Sequence, residues 1–387
     1  MTFYGYKRPD GRVGVRNHVL ILPASVCASD TTRIIASQVT GAVTFNNQLG
    51  CSQVPVDQAY TMDVMAGFAA NPNIYGTVVV SLGCENCQMD LVVKAIEERT
   101  NKPIRQVIIQ EAGGTLKAIE AAVRYAKEMV AEASLLRREE FPISELIVGT
   151  ECGGSDPTSG LAANPLIGQM SDLLVEAGAT TVLSETTEFI GGEHLLAARA
   201  VNQEVHDRIY EIVHRYEKSL QMVGEEVREG NPSPGNKAGG LTTLEEKSLG
   251  CIHKGGHAPV SNVYDYAKPL KSHEGLVIMD TPGNDPSSVA AMVAGGCQII
   301  VFSSGRGTPT GNPIAPVIKI TGNRETYKKM SDNIDVDASP IIYGSKTLEG
   351  MGGELLDLVV KTANGQQTKA ESLGYVEISI ARVCNFT

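Results

Sequence analysis

Three cysteines of this sequence share one kind of setting. Cys51 lies in NNQLGCSQ, Cys84 in SLGCENC and Cys152 in TECGGSDPTSGLAANP, each next to glycine. Glycine lets the backbone turn sharply and leaves room for a ligand. Three thiolates converging from separate loops suit iron or an iron–sulfur cluster. A buried cysteine is also an ordinary small core residue, so the argument for a metal rests on the shared setting of Cys51, Cys84 and Cys152. Cys84 and Cys87 form a CxxC, but no second pair stands at zinc-finger spacing. Cys27, Cys251, Cys297 and Cys384 read as structural.

Acids form the second group. SETTEFIGGEH supplies Glu185, Glu188 and Glu193, with His194 beside the last; Glu85 follows Cys84, and Asp156 follows Ser155. Such groups serve as metal ligands or as bases for a carbon-bound proton. Glu193 reads equally well as the acid that opens a helix. Cations in glycine-rich loops form the third group: Lys237 in PGNKAGG, Lys247 in EEKSLG and Arg306 in SSGRGTPTGNP. Arginine grips a carboxylate with two parallel hydrogen bonds, and open backbone N–H groups assist. Arg306 is the favoured substrate anchor, whereas Arg8 and Arg12 read as surface residues. His253 and His257 in CIHKGGHAP are four apart, but the glycines between them argue against a helix carrying both.

The elements that must position these groups are legible as apolar runs. HVLILP (18–23), GTVVVSL (76–82), ELIVGT (145–150), TTVLS (180–184), GLVIMD (275–280) and QIIVFS (298–303) each end in a loop that bears chemistry. Continuous Val/Ile/Leu runs of this length are typical of parallel strands covered on both faces. Helical spacing falls between them, over 54–70, 88–99, 116–132, 161–177 and 193–229. The alternation predicts an α/β fold of two Rossmann-like layered domains with mostly parallel sheets, in which ligands bind outside the carboxyl ends of the strands. GNPSPGNKAGG (230–240) is dense in Gly and Pro and follows a long polar helix, so the expected division is 1–230 and 231–387.

The chain has 387 residues, 42% hydrophobic and 20% charged, with 40 glycines, eight cysteines and a net charge of −11. That charge and the lack of a basic block argue against nucleic acid or an anionic membrane as partner. No run reaches the length of a membrane span, and the N-terminal stretch lacks a signal-peptide core. The expected compartment is the cytoplasm, where cysteines stay reduced. There is no GxGxxG after the first strand, no P-loop, no GxSxG and no HExxH.

In order, GYKRPDGRVGVRNH, LGCE, CGGSDPTSGLAANP, SETTEFIGGEH, NPSPGNKAGGLTTLEEKSLG, MDTPG and FSSGRGTPTGNP resemble the altronate/galactarate dehydratase family across nearly the whole chain. The resemblance implies an iron-dependent hydro-lyase of sugar acids, with elimination of sulfite from sulfolactate as the sister activity. It implies Fe(II), or a cluster, at Cys51, Cys84 and Cys152. Glu185, Glu188, His194 and Asp156 would serve as ligands or catalytic acids and bases, and Ser155, Lys237 and Arg306 would orient the substrate. Family members carry a small N-terminal domain of the SAF type, so this chain is expected to pair with a separate small subunit in a homo- or hetero-oligomer. NNQLGC departs from several members by placing Asn47, not histidine, four residues before the cysteine.

Overall fold

A computed structural model describes all 387 residues. The chain opens with β1 (Thr2–Lys7) and β2 (Val13–Gly14), which pair antiparallel. A first α/β unit follows: β3 (His18–Pro23), α1 (Val26–Ser37), β4 (Ala42–Val43), α2 (Pro55–Ala70), β5 (Ile74–Ser81), α3 (Met89–Glu97), β6 (Ile104–Ile108) and α4 (Thr115–Ala133). Its four strands are parallel, in the order β4-β3-β5-β6. Successive strand residues face opposite sides, so the apolar run of β3 is divided between two cores. Val19 and Ile21 pack with Ala28, Ala118 and Ala122 of α1 and α4. Leu20 and Leu22 pack with Val64, Phe68 and Val92 of α2 and α3.

β7 (Glu139–Pro142) returns to pair antiparallel with β1. The second unit begins with β8 (Ile147–Cys152), a π-helical turn (Ser159–Ala163), α5 (Asn164–Glu176) and β9 (Thr180–Leu183). A helical excursion comes next: α6 (Glu193–Ala197), α7 (Gln203–Gln221), α8 (Val227–Gly230), α9 (Pro234–Ala238) and α10 (Leu244–Cys251). The chain then re-enters the same sheet through β10 (Val260–Tyr264), β11 (Gly275–Met279), α11 (Asp285–Gly295), β12 (Ile299–Ser303), β13 (Val317–Thr321) and β14 (Val336–Asp337). The seven strands are parallel in the order β10-β11-β9-β8-β12-β13-β14, and the helix Leu348–Ala363 packs on α5. No helix is long and apolar enough to cross a membrane.

The parallel α/β architecture is as expected, but the division at residue 230 is not. β9 pairs with β11 and β8 with β12, so strands from both sides of that point share one hydrogen-bonded sheet. The Gly/Pro-rich stretch carries short helices within an excursion from that sheet. The sheets divide instead between α4 and β8. The single helix expected over 193–229 is broken as well. Asn202 caps α7, its side chain accepting from the Val205 N–H, and Gly224 at φ +78° ends the turn after it.

The two units are joined by close packing of α2 on α11. A Cβ on Gly67 would stand 2.3 Å from the Ala294 carbonyl, so only glycine permits this approach. Asn73 adds a polar stitch. Its Oδ1 accepts from the N–H groups of Val15 and Arg16, and its Nδ2 donates to the carbonyls of Gln298 and Ile314. It is fully buried, so removing it strands four backbone groups away from water. Asn73→Ala should destabilise the fold by about 2–4 kcal/mol. The check is a lowered denaturant midpoint at an unchanged slope; a midpoint unmoved would show that the seam does not depend on this side chain.

Candidate active site

The seven-stranded sheet presents its carboxyl edge to the helical excursion, and a cavity of about 680 Å³ lies there. Its inner wall is the loop after β8, Cys152–Gly153–Gly154, facing the Pro282–Asp285 loop that leads into α11. Gly153 is required by this contact, since an added Cβ would fall 2.0 Å from Asp285 Oδ2. Glu188 and Lys247 enter from the loop after β9 and from α10, and residues from the 216–236 segment complete the lining.

Glu185 ends β9 in a left-handed conformation, φ +70°, unusual for a side chain larger than glycine. The turn is fastened by the Glu185 N–H donating to Thr281 Oγ1 at 2.7 Å and the Thr186 N–H donating to the Thr281 carbonyl at 2.9 Å. Backbone strain of this kind persists only where surrounding bonds impose it. Here it turns the Glu185 carboxylate inward, where Oε2 accepts from the Cys152 N–H at 2.9 Å and from the ammonium of Lys254. Lys254 is fully buried and also donates to Cys251 Sγ at 2.7 Å.

Cys152 Sγ lies 3.0 Å from Ser155 Oγ and accepts from Asn164 Nδ2 at 3.6 Å. A hydrogen bond from Cys251, together with the Lys254 charge and the neighbouring hydroxyls, outweighs burial and holds the Cys152 thiol well below its ordinary range. Burial drives Cys251 the other way. Glu151 points into the same interior. Its Oε2 accepts from Ser184 and Ser288, while Oε1 has no partner. Burial, reinforced by Glu185 and Asp285, pushes its carboxyl well up. Burial likewise raises Glu185 to about 8 and Asp285 to about 6.

Glu188 is one of the acids in the cavity wall. It is buried, with Oε1 accepting from Lys247 Nζ at 2.8 Å and Asn231 Nδ2 at 3.2 Å, and its Oε2 has no partner. Lys247 in turn donates to Asn231 Oδ1 at 2.8 Å, which fixes both ends of the pair.

The fold therefore gathers Cys152, Glu185 and Glu188, and it seats Ser155 against the Cys152 sulfur. It does not gather the three thiols. Cys51 and Cys84 stand in loops beyond β4 and β5 of the four-stranded sheet, at neighbouring turns joined by the Ser52 N–H donating to Asn86 Oδ1 at 2.7 Å. Cys152 ends a strand of the other sheet. The one group of three possible ligand atoms within 4.8 Å of one another is Glu151, Glu185 and Asp285. Glu85 is held in its own turn by the N–H groups of Leu82 and Gly83. Asn47, the departure from the family pattern, is a loop brace: it donates to the Pro23 carbonyl at 3.0 Å and accepts from the Leu49 N–H at 2.9 Å.

Four other expectations fall outside the cavity wall. Asp156 is turned into the fold, accepting from Thr158 N–H and hydroxyl and from Asn323 Nδ2. His194 is exposed on α6 without a hydrogen-bond partner. Lys237 and Arg306 are exposed as well, the latter's backbone N–H donating to the Gly154 carbonyl at 2.7 Å. The lysine at the site is Lys247, ten residues further on, and the fully buried one is Lys254. CIHKGGH drew attention through its histidines, yet its chemistry lies in Cys251 and Lys254. His257 is an exposed partner of Asp172. All eight cysteines are free thiols.

Acids, a thiol and a lysine around one polar cavity at the carboxyl edge of a parallel sheet define an α/β enzyme site for a small polar ligand. The chain belongs to the D-galactarate/altronate dehydratase family. Residues 143–385 match the C-terminal domain of D-galactarate/altronate dehydratase, and residues 5–134 match the second domain of D-galactarate dehydratase/altronate hydrolase. It is 36% identical to altronate dehydratase of Bacillus subtilis, over 98% of this chain and 77% of that protein. It is 38% identical to (2R)-sulfolactate sulfo-lyase subunit beta of Chromohalobacter salexigens, over 99% of this chain and 97% of that protein. Galactarate dehydratase (L-threo-forming) of Escherichia coli is 34% identical, over 95% and 73% respectively. The family is the one that the loop motifs resemble, and the gap between the matched segments falls where the sheets divide.

Two outcomes test the buried network. Lys254→Met leaves Glu185 without its countercharge and should cost about 3–5 kcal/mol of stability. The pH test uses chelator-treated protein. The folded pKa of Glu185, about 8, lies above the ordinary carboxyl value, so the folded state binds the extra proton between those limits. This group's contribution to stability is thus complete below about pH 4.5 and lost as pH rises through about 8. Glu185→Gln should flatten the fall in melting temperature across that window, and an unchanged slope would remove Glu185 as its source.

Proposed function

We propose that this chain dehydrates a sugar acid, removing the proton next to the carboxylate and releasing the hydroxyl on the following carbon to give a 2-keto-3-deoxy acid. The observation that carries this reading is Glu188: a buried carboxylate in the cavity wall, with no hydrogen-bond partner at Oε2, in a member of a dehydratase family. Lys247 pairs with its Oε1 at 2.8 Å and so fixes the aim of the carboxylate. The Gly153–Gly154 backbone and Asn236 line the space next to it, where the acid's oxygens are held.

Iron fits this site on oxygen donors, not on three thiols. Glu151 Oε1 is buried without a partner, Glu185 and Asp285 offer oxygens within 4.8 Å of it, and the cluster's excess of acids over the Lys254 charge favours a divalent ion. A bound Fe(II) would supply Lewis-acid stabilisation of the charge that develops on the substrate oxygens. No thiol triad supports the cluster alternative. Cys152 is then a neighbour that shapes the acid group through Glu185.

The relative of nearly equal length, named a sulfo-lyase subunit beta, supports two further points. One is a second, small polypeptide that completes the enzyme, for which the SAF-type domain is our candidate. The other is a second reading, in which sulfite leaves in place of hydroxide after the same proton abstraction.

Glu188→Gln should fold normally and lower turnover by about 10²–10⁴, with a matching loss of solvent deuterium incorporation at the carbon next to the carboxylate. Full exchange in this variant would assign the base elsewhere. Wild-type protein supplied with iron, reductant and small subunit should yield keto-deoxy acid from an aldonate or aldarate; sulfite from sulfolactate alone would favour the second reading.

A further inference from the structure

Two buried hydroxyls, those of Thr281 and Ser288, join the acids Glu151, Glu185 and Asp285. Thr281 follows β11, and Ser288 lies one turn into α11, the helix that Asp285 begins. Thr281 Oγ1 accepts from the Glu185 N–H at 2.7 Å and stands 2.9 Å from Ser288 Oγ. Ser288 Oγ donates to Glu151 Oε2 at 2.7 Å. A hydroxyl has one hydrogen to give. That of Ser288 goes to Glu151, so the hydrogen between the two hydroxyls comes from Thr281. The chain therefore runs one way, from the Glu185 N–H through Thr281 and Ser288 to Glu151. Aligned bonds of this kind strengthen one another. Neither hydroxyl lines the cavity, so neither touches a ligand held there.

We propose that Thr281 and Ser288 are positioning residues: they set the spacing of the Glu151, Glu185 and Asp285 oxygens, and through it the affinity of that group for a divalent cation. This rests on the oxygen-donor reading of the iron site above. Three carboxylates that grip one ion must be kept close although their charges repel. Ser288 and Ser184 occupy Glu151 Oε2, which leaves Oε1 without a protein partner. Thr281 keeps Glu185 in its left-handed turn at φ +70°, because its side chain and its carbonyl take the N–H groups of Glu185 and Thr186. Asp285 is carried by the helix to which Ser288 belongs. One pair of hydroxyls thus fixes an acid of β8, the acid after β9 and the start of α11 against each other. Removing outer partners of metal-binding acids typically lowers metal affinity by about 10–100-fold.

The test measures Mn(II) binding to the full chain, freed of metal by chelator, from the electron paramagnetic resonance signal of the unbound ion. Mn(II) suits oxygen donors and needs no reductant. The wild type should bind one ion, and Glu151→Gln should abolish that binding. Thr281→Val, similar in size but without the hydroxyl, should weaken binding by about tenfold or more, and Ser288→Ala should do the same. Thr281→Ser keeps the hydroxyl and should bind within about threefold of the wild type. Because the two hydroxyls act as one chain, Thr281→Val/Ser288→Ala should bind at most about threefold more weakly than the weaker single variant. Wild-type affinity in both single variants would overturn the proposal, as would Thr281→Ser binding as weakly as Thr281→Val. Should Thr281→Val not fold, Ser288→Ala alone decides between these outcomes. No Mn(II) bound by the wild type, or equal binding by Glu151→Gln, would instead remove the oxygen-donor reading beneath the proposal, so the two failures are distinguishable.

Discussion

The constraint on which this site depends is the burial of several acids around one fixed cation. Glu151, Glu185 and the Cys152 thiol lie within the protein interior, and Lys254 is the ammonium buried with them. Isolated buried charge is costly enough that such groups normally neutralise. The upward shifts of Glu151, Glu185 and Asp285 express that cost. Lys254 offsets part of it by pairing with the Glu185 carboxylate. What is left over is negative charge next to a cavity, and in Glu151 a carboxylate oxygen without a partner. Protons or a divalent cation must make up the difference. That deficit is the ground for the divalent ion proposed above.

The fold supplies the means of concentrating charge in this way. Parallel strands all end on one edge, so consecutive β-to-α loops meet there although they are far apart in sequence. β8 delivers Glu151 and Cys152, the loop after β9 delivers Glu185 and Glu188, and the loop after β11 delivers Asp285. The helical excursion between β9 and β10 closes over that edge, bringing Lys247 and Lys254. The four-stranded unit has its own loop edge with Cys51 and Cys84, and α2 against α11 fixes the two units together. Each edge thus has its own thiols, and the sheet boundary keeps them apart.

This explains what was legible in the amino-acid order. The strands were, because runs such as HVLILP and GTVVVSL are apolar on both faces and only a covered parallel sheet accommodates that. Short edge elements such as β4 and β14 were not, since two paired residues leave no periodic trace. The acids of SETTE were legible because they follow a strand end. The convergence of three thiols was wrong for a definite reason: a shared glycine-rich context reports the local turn, and says nothing about which sheet the turn belongs to. The break at 230–240 misled similarly. Gly and Pro mark a change of direction, and an excursion that returns to its own sheet changes direction as surely as a domain linker does. Lys254 had no visible signal, because a lysine is read as solvated until its surroundings are known.

The same reasoning separates the buried anchor from the base proposed above. Glu185 has a hydrogen-bonded Oε2, a countercharge and no contact with the cavity, so it is an anchor for the acid group. Glu188 is tied at one oxygen and has no partner at the other, and the residue belongs to the cavity wall. A group that must take and return a proton needs this combination: enough restraint to keep its aim, and one site left open for the substrate. The two glutamates are three residues apart on one strained turn, and that turn gives them different work.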